Sequence, residues 1–213
     1  MYPEVDANEL NIFQEPARLV FAGYSGSGKS WLVSKLLNKY KHAFSKIIVV
    51  GSNLENISGV EITRMDDFDP YHEPISSDVL VIYDDVLLDK GKHLYNAAQL
   101  FIKGRHGMFE ESRGAYSTIF LTQNIFHADK HYRSLVLNAT GIFLLKQRDF
   151  RQIRLFASTF LEKEAVGKFL KMYKQVMTKK YGYIYVDYNK PPEDVLALRS
   201  NVAGEGYEIA YKL

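Results

Sequence analysis

The sequence predicts an α/β fold with a mainly parallel central sheet flanked by helices. Three observations carry that expectation. Five short apolar runs lack any alternation of polar and apolar residues: RLVFA (18–22), KIIVV (46–50), VLVIY (79–83), STIFLT (117–122) and GIFLL (141–145). Runs of that kind suit strands buried on both faces. Helical segments fall between several of them, at about 30–41, 93–103 and 129–137, and such alternation indicates a doubly wound sheet. The third observation is a glycine-rich loop placed between the first strand and the first helix.

That loop is GYSGSGKS, residues 23–30. Gly23, Gly28, Lys29 and Ser30 match the phosphate-loop pattern, and the strand before and the helix behind supply the context it requires. Glycines let several backbone N–H groups turn toward one anion, and the helix N-terminus adds partial positive charge. Lys29 is expected to reach the β and γ phosphates, and Ser30 to place its hydroxyl on Mg²⁺. The nucleotide-binding set is Gly23, Ser25, Gly26, Ser27, Gly28, Lys29, Ser30 and Trp31. A nucleoside triphosphate is implied, with ATP the default; the loop does not specify the reaction.

The second run, 46–50, leads into an irregular stretch at 51–78 that is rich in Pro, Asp, Ser and Gly. The third run ends in Asp84-Asp85. An apolar strand ending in an acid is the second part of a phosphate-loop site, so Asp84 is assigned to Mg²⁺. Asp85 is then available to polarise the water that attacks the γ-phosphate. Capping of the following turn is the plainer role for it. The fourth run ends in Gln123-Asn124. Strands of such sheets end at the ligand crevice, so Gln123 is either a γ-phosphate sensor or a simple strand-ending polar residue.

Between the acid strand and the Gln strand lies KGRHGMFEESRG, 103–114. Its arginines, Arg105 first and Arg113 second, are candidates to act in trans on a neighbouring subunit's nucleotide; solvated surface arginines read equally well. Arg133 is a further candidate. Beyond the fifth run a helix is expected at about 160–178, from the spacing of Val166, Phe169, Leu170, Tyr173 and Val176. Thr159 and Glu162 have capping-box spacing. YGYIYVDY (181–188) reads as a strand that Pro191-Pro192 end. No domain boundary is visible. The expectation is a single unit over 1–213, with a core at about 17–190 and a C-terminal strand and tail at 181–213.

Composition narrows the function classes. The 213 residues include no cysteine, which excludes disulfides, thiolate metal sites and cysteine nucleophiles. No run reaches the length of a membrane span, and the N-terminus lacks the pattern of a signal peptide. A soluble protein of the cytosol or nucleus is expected. Net charge is only +2, but residues 146–180 hold ten Lys/Arg against Asp149, Glu162 and Glu164. That asymmetry suits a polyanion surface or a solvated helix face. The 15 Tyr and 13 Phe read as packing residues, and the six His show no metal-ligand spacing.

In this order the motifs resemble a known group. VLVIYDD, LFIKGRH, STIFLTQNIFH and SLVLNATGIFLLKQRDFRQI are similar to segments of the viral genome-packaging ATPases of the FtsK–HerA superfamily. The branch most similar is that of Polinton-like elements, virophages and poxvirus-type large DNA viruses. The resemblance covers about 17–190 and, more loosely, the stretch up to Arg199. It implies a RecA-like sheet with the Gln123 strand between the Walker A and Walker B strands. It also implies a ring of five or six subunits, ATP and Mg²⁺, and sequence-independent movement of double-stranded DNA into a preformed capsid through its portal vertex. By resemblance Lys29 and Ser30 bind nucleotide and Mg²⁺, Asp84 and Asp85 form the Walker B pair, Gln123 is the sensor, and Arg105 is the trans arginine. Host cytoplasm or nucleus at sites of virus assembly, and association with the virion, follow as expectations. The rival reading is a nucleoside or nucleotide monophosphate kinase whose lid carries Arg148, Arg151 and Arg154.

Overall fold

Continuous apolar runs have no solvent face, so they become interior strands. The computed structural model describes residues 4–6, 11–13, 15–51, 62–66, 68–72, 77–84, 92–106, 113–204 and 207–212. Its strands are β1 (Glu4–Asp6), β2 (Arg18–Ala22), β3 (Lys46–Val50), β4 (Ile62–Met65), β5 (Val79–Asp84), β6 (Tyr116–Thr122), β7 (Gly141–Leu145), β8 (Tyr183–Asp187), β9 (Leu198–Ser200) and β10 (Tyr207–Ala210). Its helices are α1 (Lys29–Tyr40), α2 (Lys92–Lys103), α3 (Lys130–Leu137), α4 (Phe150–Phe160) and α5 (Lys163–Val176).

All ten strands join one sheet in the order β4-β3-β5-β6-β2-β7-β8-β9-β10-β1. The run from β4 to β7 is parallel, and the remaining strands continue it antiparallel. β6 lies between β2 and β5, so the Gln123 strand separates the phosphate-loop strand from the acid strand, as the resemblance implies.

Side chains leave the sheet on both faces and build two cores. Val20, Val81, Phe120 and Ile142 pack with α2, α3, α4 and α5 through Leu94, Tyr132, Phe156 and Phe169. Leu19, Phe21, Ile82 and Phe143 face α1 through Leu32, Val33, Leu36 and Leu37. Those four α1 residues are fully buried, each worth about 1.5–3 kcal/mol. This packing fixes α1, and with it the phosphate loop at its N-terminus.

Two expectations change. The helix expected at 160–178 is present as α5, but α4 was not expected; the two are separated at Leu161, which is extended at φ −117, ψ 155. Thr159 lies inside α4 and donates to the Leu155 carbonyl, while Glu162 at the α5 N-cap makes no side-chain capping bond. The capping box therefore does not form. The stretch 51–78 contains β4, which pairs parallel with β3. Four residues are too few to reveal a strand by pattern.

A buried ion triad fastens the antiparallel extension. Arg199 on β9 donates to Glu208 of β10 at 2.9 Å and to Asp187 of β8 at 3.1 Å, and its guanidinium lies over the Tyr185 ring. Arg199 and Glu208 are almost wholly buried. Removing Arg199 strands both carboxylates without a partner charge. Arg199→Ala is expected to destabilise the chain by about 3–5 kcal/mol, read from the midpoint of urea unfolding.

Candidate active site

The phosphate loop turns on two glycines with left-handed backbone, Gly26 at φ 83 and Gly28 at φ 99. At Gly23 a Cβ would meet Ser27 Oγ at 2.4 Å and Leu145 Cβ at 2.7 Å, so a side chain would crowd the loop. The Gly23 and Tyr24 amides donate to the Thr122 and Lys146 carbonyls at 3.1 and 3.2 Å. The loop thus hangs between the ends of β6 and β7. Lys29 Nζ donates to the Gly23 carbonyl at 2.7 Å and to the Tyr24 carbonyl at 3.4 Å, which holds its charge over the loop.

A cleft of about 350 Å³ opens beside the loop, within the size range of small-ligand sites. Lys29, Ser30, Asp84 and Gln123 all line it. Asp84 is 6% exposed at the end of β5, and Gln123 stands exposed just beyond β6. Residues far apart in sequence therefore meet because their strand ends are adjacent. A hydroxyl and a carboxylate facing a phosphate loop suit a hard cation such as Mg²⁺. Of the expected nucleotide-binding set, Gly23 and Ser27 do not line the cleft, and the buried Ser27 Oγ has no hydrogen-bond partner among the described residues. Asp85 lies outside the described residues. No group of His, Asp and Glu suited to hold a metal alone occurs among the described residues.

Two buried tyrosines lock the strand ends on either side of β2. Tyr132 of α3 donates to the Asn124 and Ile125 carbonyls at 2.9 and 3.1 Å. Tyr173 of α5 donates to the Leu145 carbonyl at 2.8 Å and accepts from the Gln147 amide at 3.0 Å. Burial pushes both phenols well above their ordinary range, so they remain protonated donors. Gln152 of α4 accepts from the Ile125 amide at 2.9 Å. The backbone just beyond Gln123 is thereby held by Tyr132 and Gln152. The sequence reading took the tyrosines as packing residues and missed this polar work. Single tyrosines and one glutamine carry no motif.

The arginines divide. Arg105 sits at the opposite end of the sheet, in a cleft with Arg18 and Thr140, and pairs with Glu15 at 3.3 Å. The length of β2, about 17 Å, separates that end from the loop. Arg113 is exposed just before β6, and Arg133 is exposed on α3. None of these three lines the cleft of its own chain. Arg148 stands at the loop, with its guanidinium 5.3 Å from the Tyr24 ring centroid. Arg151 is exposed and bound to Asp149 at 3.0 Å, and Arg154 is exposed on α4. Arg151 and Arg154 thus ride on a helix whose Ile153, Phe156 and Ala157 are buried, an arrangement unlike a hinged lid.

No family model and no curated protein matches the sequence. Solved structures do. The genome-packaging NTPase B204 from Sulfolobus turreted icosahedral virus 2, in complex with AMPPCP, superposes with a TM-score of 0.56 at 17% identity, over 94% of this chain and 100% of that one. Its sulfate complex gives 0.53 at 18% identity, over 83% and 94%. The chain has the fold of a viral genome-packaging NTPase. The AMP complex of B204 gives 0.52 at 18% identity, over 83% of this chain and 95% of that one. At this identity the likeness to the packaging NTPase is one of fold. Lys29, Ser30, Asp84 and Gln123 line the cleft in this chain.

Proposed function

We propose that the chain is a packaging ATPase of the FtsK–HerA type that hydrolyses ATP to move double-stranded DNA into a preformed viral capsid. The observation that carries this reading is the single cleft shared by the phosphate loop, Asp84 and Gln123, with β6 between β2 and β5. That order puts an amide beside the place where a γ-phosphate would lie and an acid strand one position further out. The likeness to B204, a packaging NTPase solved with AMPPCP and ATP-gammaS, supports the same reading.

In this mechanism the loop amides and Lys29 hold the phosphates, and Gln123 contacts the γ-phosphate or the attacking water. Asp85 accepts the water's proton as the oxygen attacks phosphorus and the bond to ADP breaks. Ser30 and Asp84 would hold Mg²⁺, which neutralises charge on the phosphate oxygens when bound. Subunits form a ring of five or six at the capsid's portal vertex, where virus assembles in the host cytoplasm or nucleus. The exposed lysines of α5 (Lys163, Lys168, Lys171 and Lys174) contact DNA phosphates without reading sequence. Among the described residues no helix is long and apolar enough to cross a membrane.

The trans arginine is Arg105. Arg105 stands at the end of the sheet opposite its own cleft, so any nucleotide it serves belongs to a neighbour. Arg105→Ala is expected to lose hydrolysis by about 10³-fold and to regain part of it when mixed with Asp85→Asn subunits. No recovery in assembled mixed rings would remove Arg105 from the site. DNA-stimulated ATP hydrolysis, without transfer of phosphate to nucleoside monophosphates, is the test of the whole reading.

A further inference from the structure

The cleft beside the phosphate loop has two dissimilar ends. Asp84 and Gln123 occupy the side of β5 and β6. Toward β7 and β8 the lining changes to two aromatic rings, Trp31 and Tyr181. Tyr181 precedes β8, whose Tyr183 pairs with Leu145 at the end of β7. Trp31 follows Ser30 on the first turn of α1. Their ring centroids lie 5.0 Å apart at 31°, and Trp31 is 42% exposed.

Two features show that the Tyr181 ring is held there against local cost. Its backbone is left-handed at φ 57, a strained conformation that bulky residues rarely adopt. Gly28 has no side chain, and a Cβ on it would come within 2.6 Å of Tyr181 Cδ1. The ring therefore rests directly on the phosphate loop. Lys180 adds a cation 5.2 Å from the same ring.

We infer that Trp31 and Tyr181 form the base platform of this site, stacking the purine of a nucleoside triphosphate whose γ-phosphate lies toward Gln123. The inference rests on the nucleotide site of the proposed function. Stacking uses the π-face of the base and leaves its hydrogen-bonding edge unread. A purine offers more area than a pyrimidine, so the platform favours ATP and GTP over CTP. Tyr181 acts on the base and not on the phosphates.

The test is equilibrium binding by calorimetry, with Mg²⁺ and without DNA. The probes are ATP-gammaS and inorganic tripolyphosphate. Tyr181→Ala and Trp31→Ala should each weaken ATP-gammaS about tenfold, the usual size of one base–aromatic contact. Tripolyphosphate should change less than about twofold, and Tyr181→Phe should bind as the wild type does. An equal loss for both probes would make Tyr181 a buttress of the loop and overturn the platform. Unchanged ATP-gammaS binding would overturn it too. Trp31 is the sole tryptophan, which gives a readout on the unaltered chain. Saturating ATP-gammaS should change its emission more than saturating tripolyphosphate does; equal changes contradict the inference even if the variants misfold. A chain that stacks nucleotide here yet ignores DNA would overturn the packaging reading and leave the platform standing.

Discussion

Lys29→Ala is expected to abolish nucleotide turnover, with a loss of about 10³-fold or more. The magnitude follows from what the ammonium does. Lys29 Nζ is anchored on the Gly23 and Tyr24 carbonyls, which point it at the concave side of the loop. A triphosphate placed there develops negative charge on its oxygens as the terminal bond breaks. Removing one preorganised donor from such a position costs about 10²–10³-fold in rate, and losing a full charge adds weaker ground-state binding. The core should be untouched. Leu32, Val33, Leu36 and Leu37 hold α1, and Lys29 is not among them. Steady-state phosphate release should fall to background while the unfolding midpoint stays within experimental scatter. Retained turnover would mean that the loop is not the catalytic phosphate site.

Asp85→Asn is expected to separate binding from chemistry. ATP should bind with near wild-type affinity, and hydrolysis should drop by about 10²–10⁴-fold, the usual worth of a positioned general base. The reasoning starts from Asp84, whose carboxylate is buried at the cleft end of β5. Asp85 follows it in sequence. Asn keeps the shape and loses the basic oxygen, so phosphate-loop contacts persist while the water keeps its proton. Filter binding of ATP-gammaS beside a phosphate-release assay separates the two quantities. Normal hydrolysis by this variant would move the base to another residue.

Much of the fold was legible because its strands are buried on both faces. RLVFA and KIIVV are apolar after their first residue and GIFLL throughout, and β2, β3 and β7 coincide with them. The phosphate loop was legible because it is local, and Asp84 and Gln123 because each ends an apolar strand. The antiparallel edge was not. β9 and β10 are short, and they bury Arg199 and Glu208, charges that composition assigns to the surface. Only pairing across β8 explains them. α4 was not read as a helix, because its buried Ile153, Phe156 and Ala157 are interspersed with exposed Arg151 and Arg154, which suggested a lid. Tyr181 had no signal at all. Its role depends on a left-handed backbone and on contact with Gly28, both products of the folded chain. The position of Arg105 at the far end of the sheet was likewise a matter of topology, not pattern.

The decisive measurement is steady-state ATP hydrolysis by the wild-type chain, with and without long linear double-stranded DNA, with Lys29→Ala as control. A DNA-driven motor predicts stimulation that weakens as salt rises, since counterion release drives phosphate contacts, and that vanishes in Lys29→Ala. Hydrolysis indifferent to DNA, accompanied by γ-phosphate transfer to a nucleoside monophosphate, would contradict a packaging motor and make the chain a kinase.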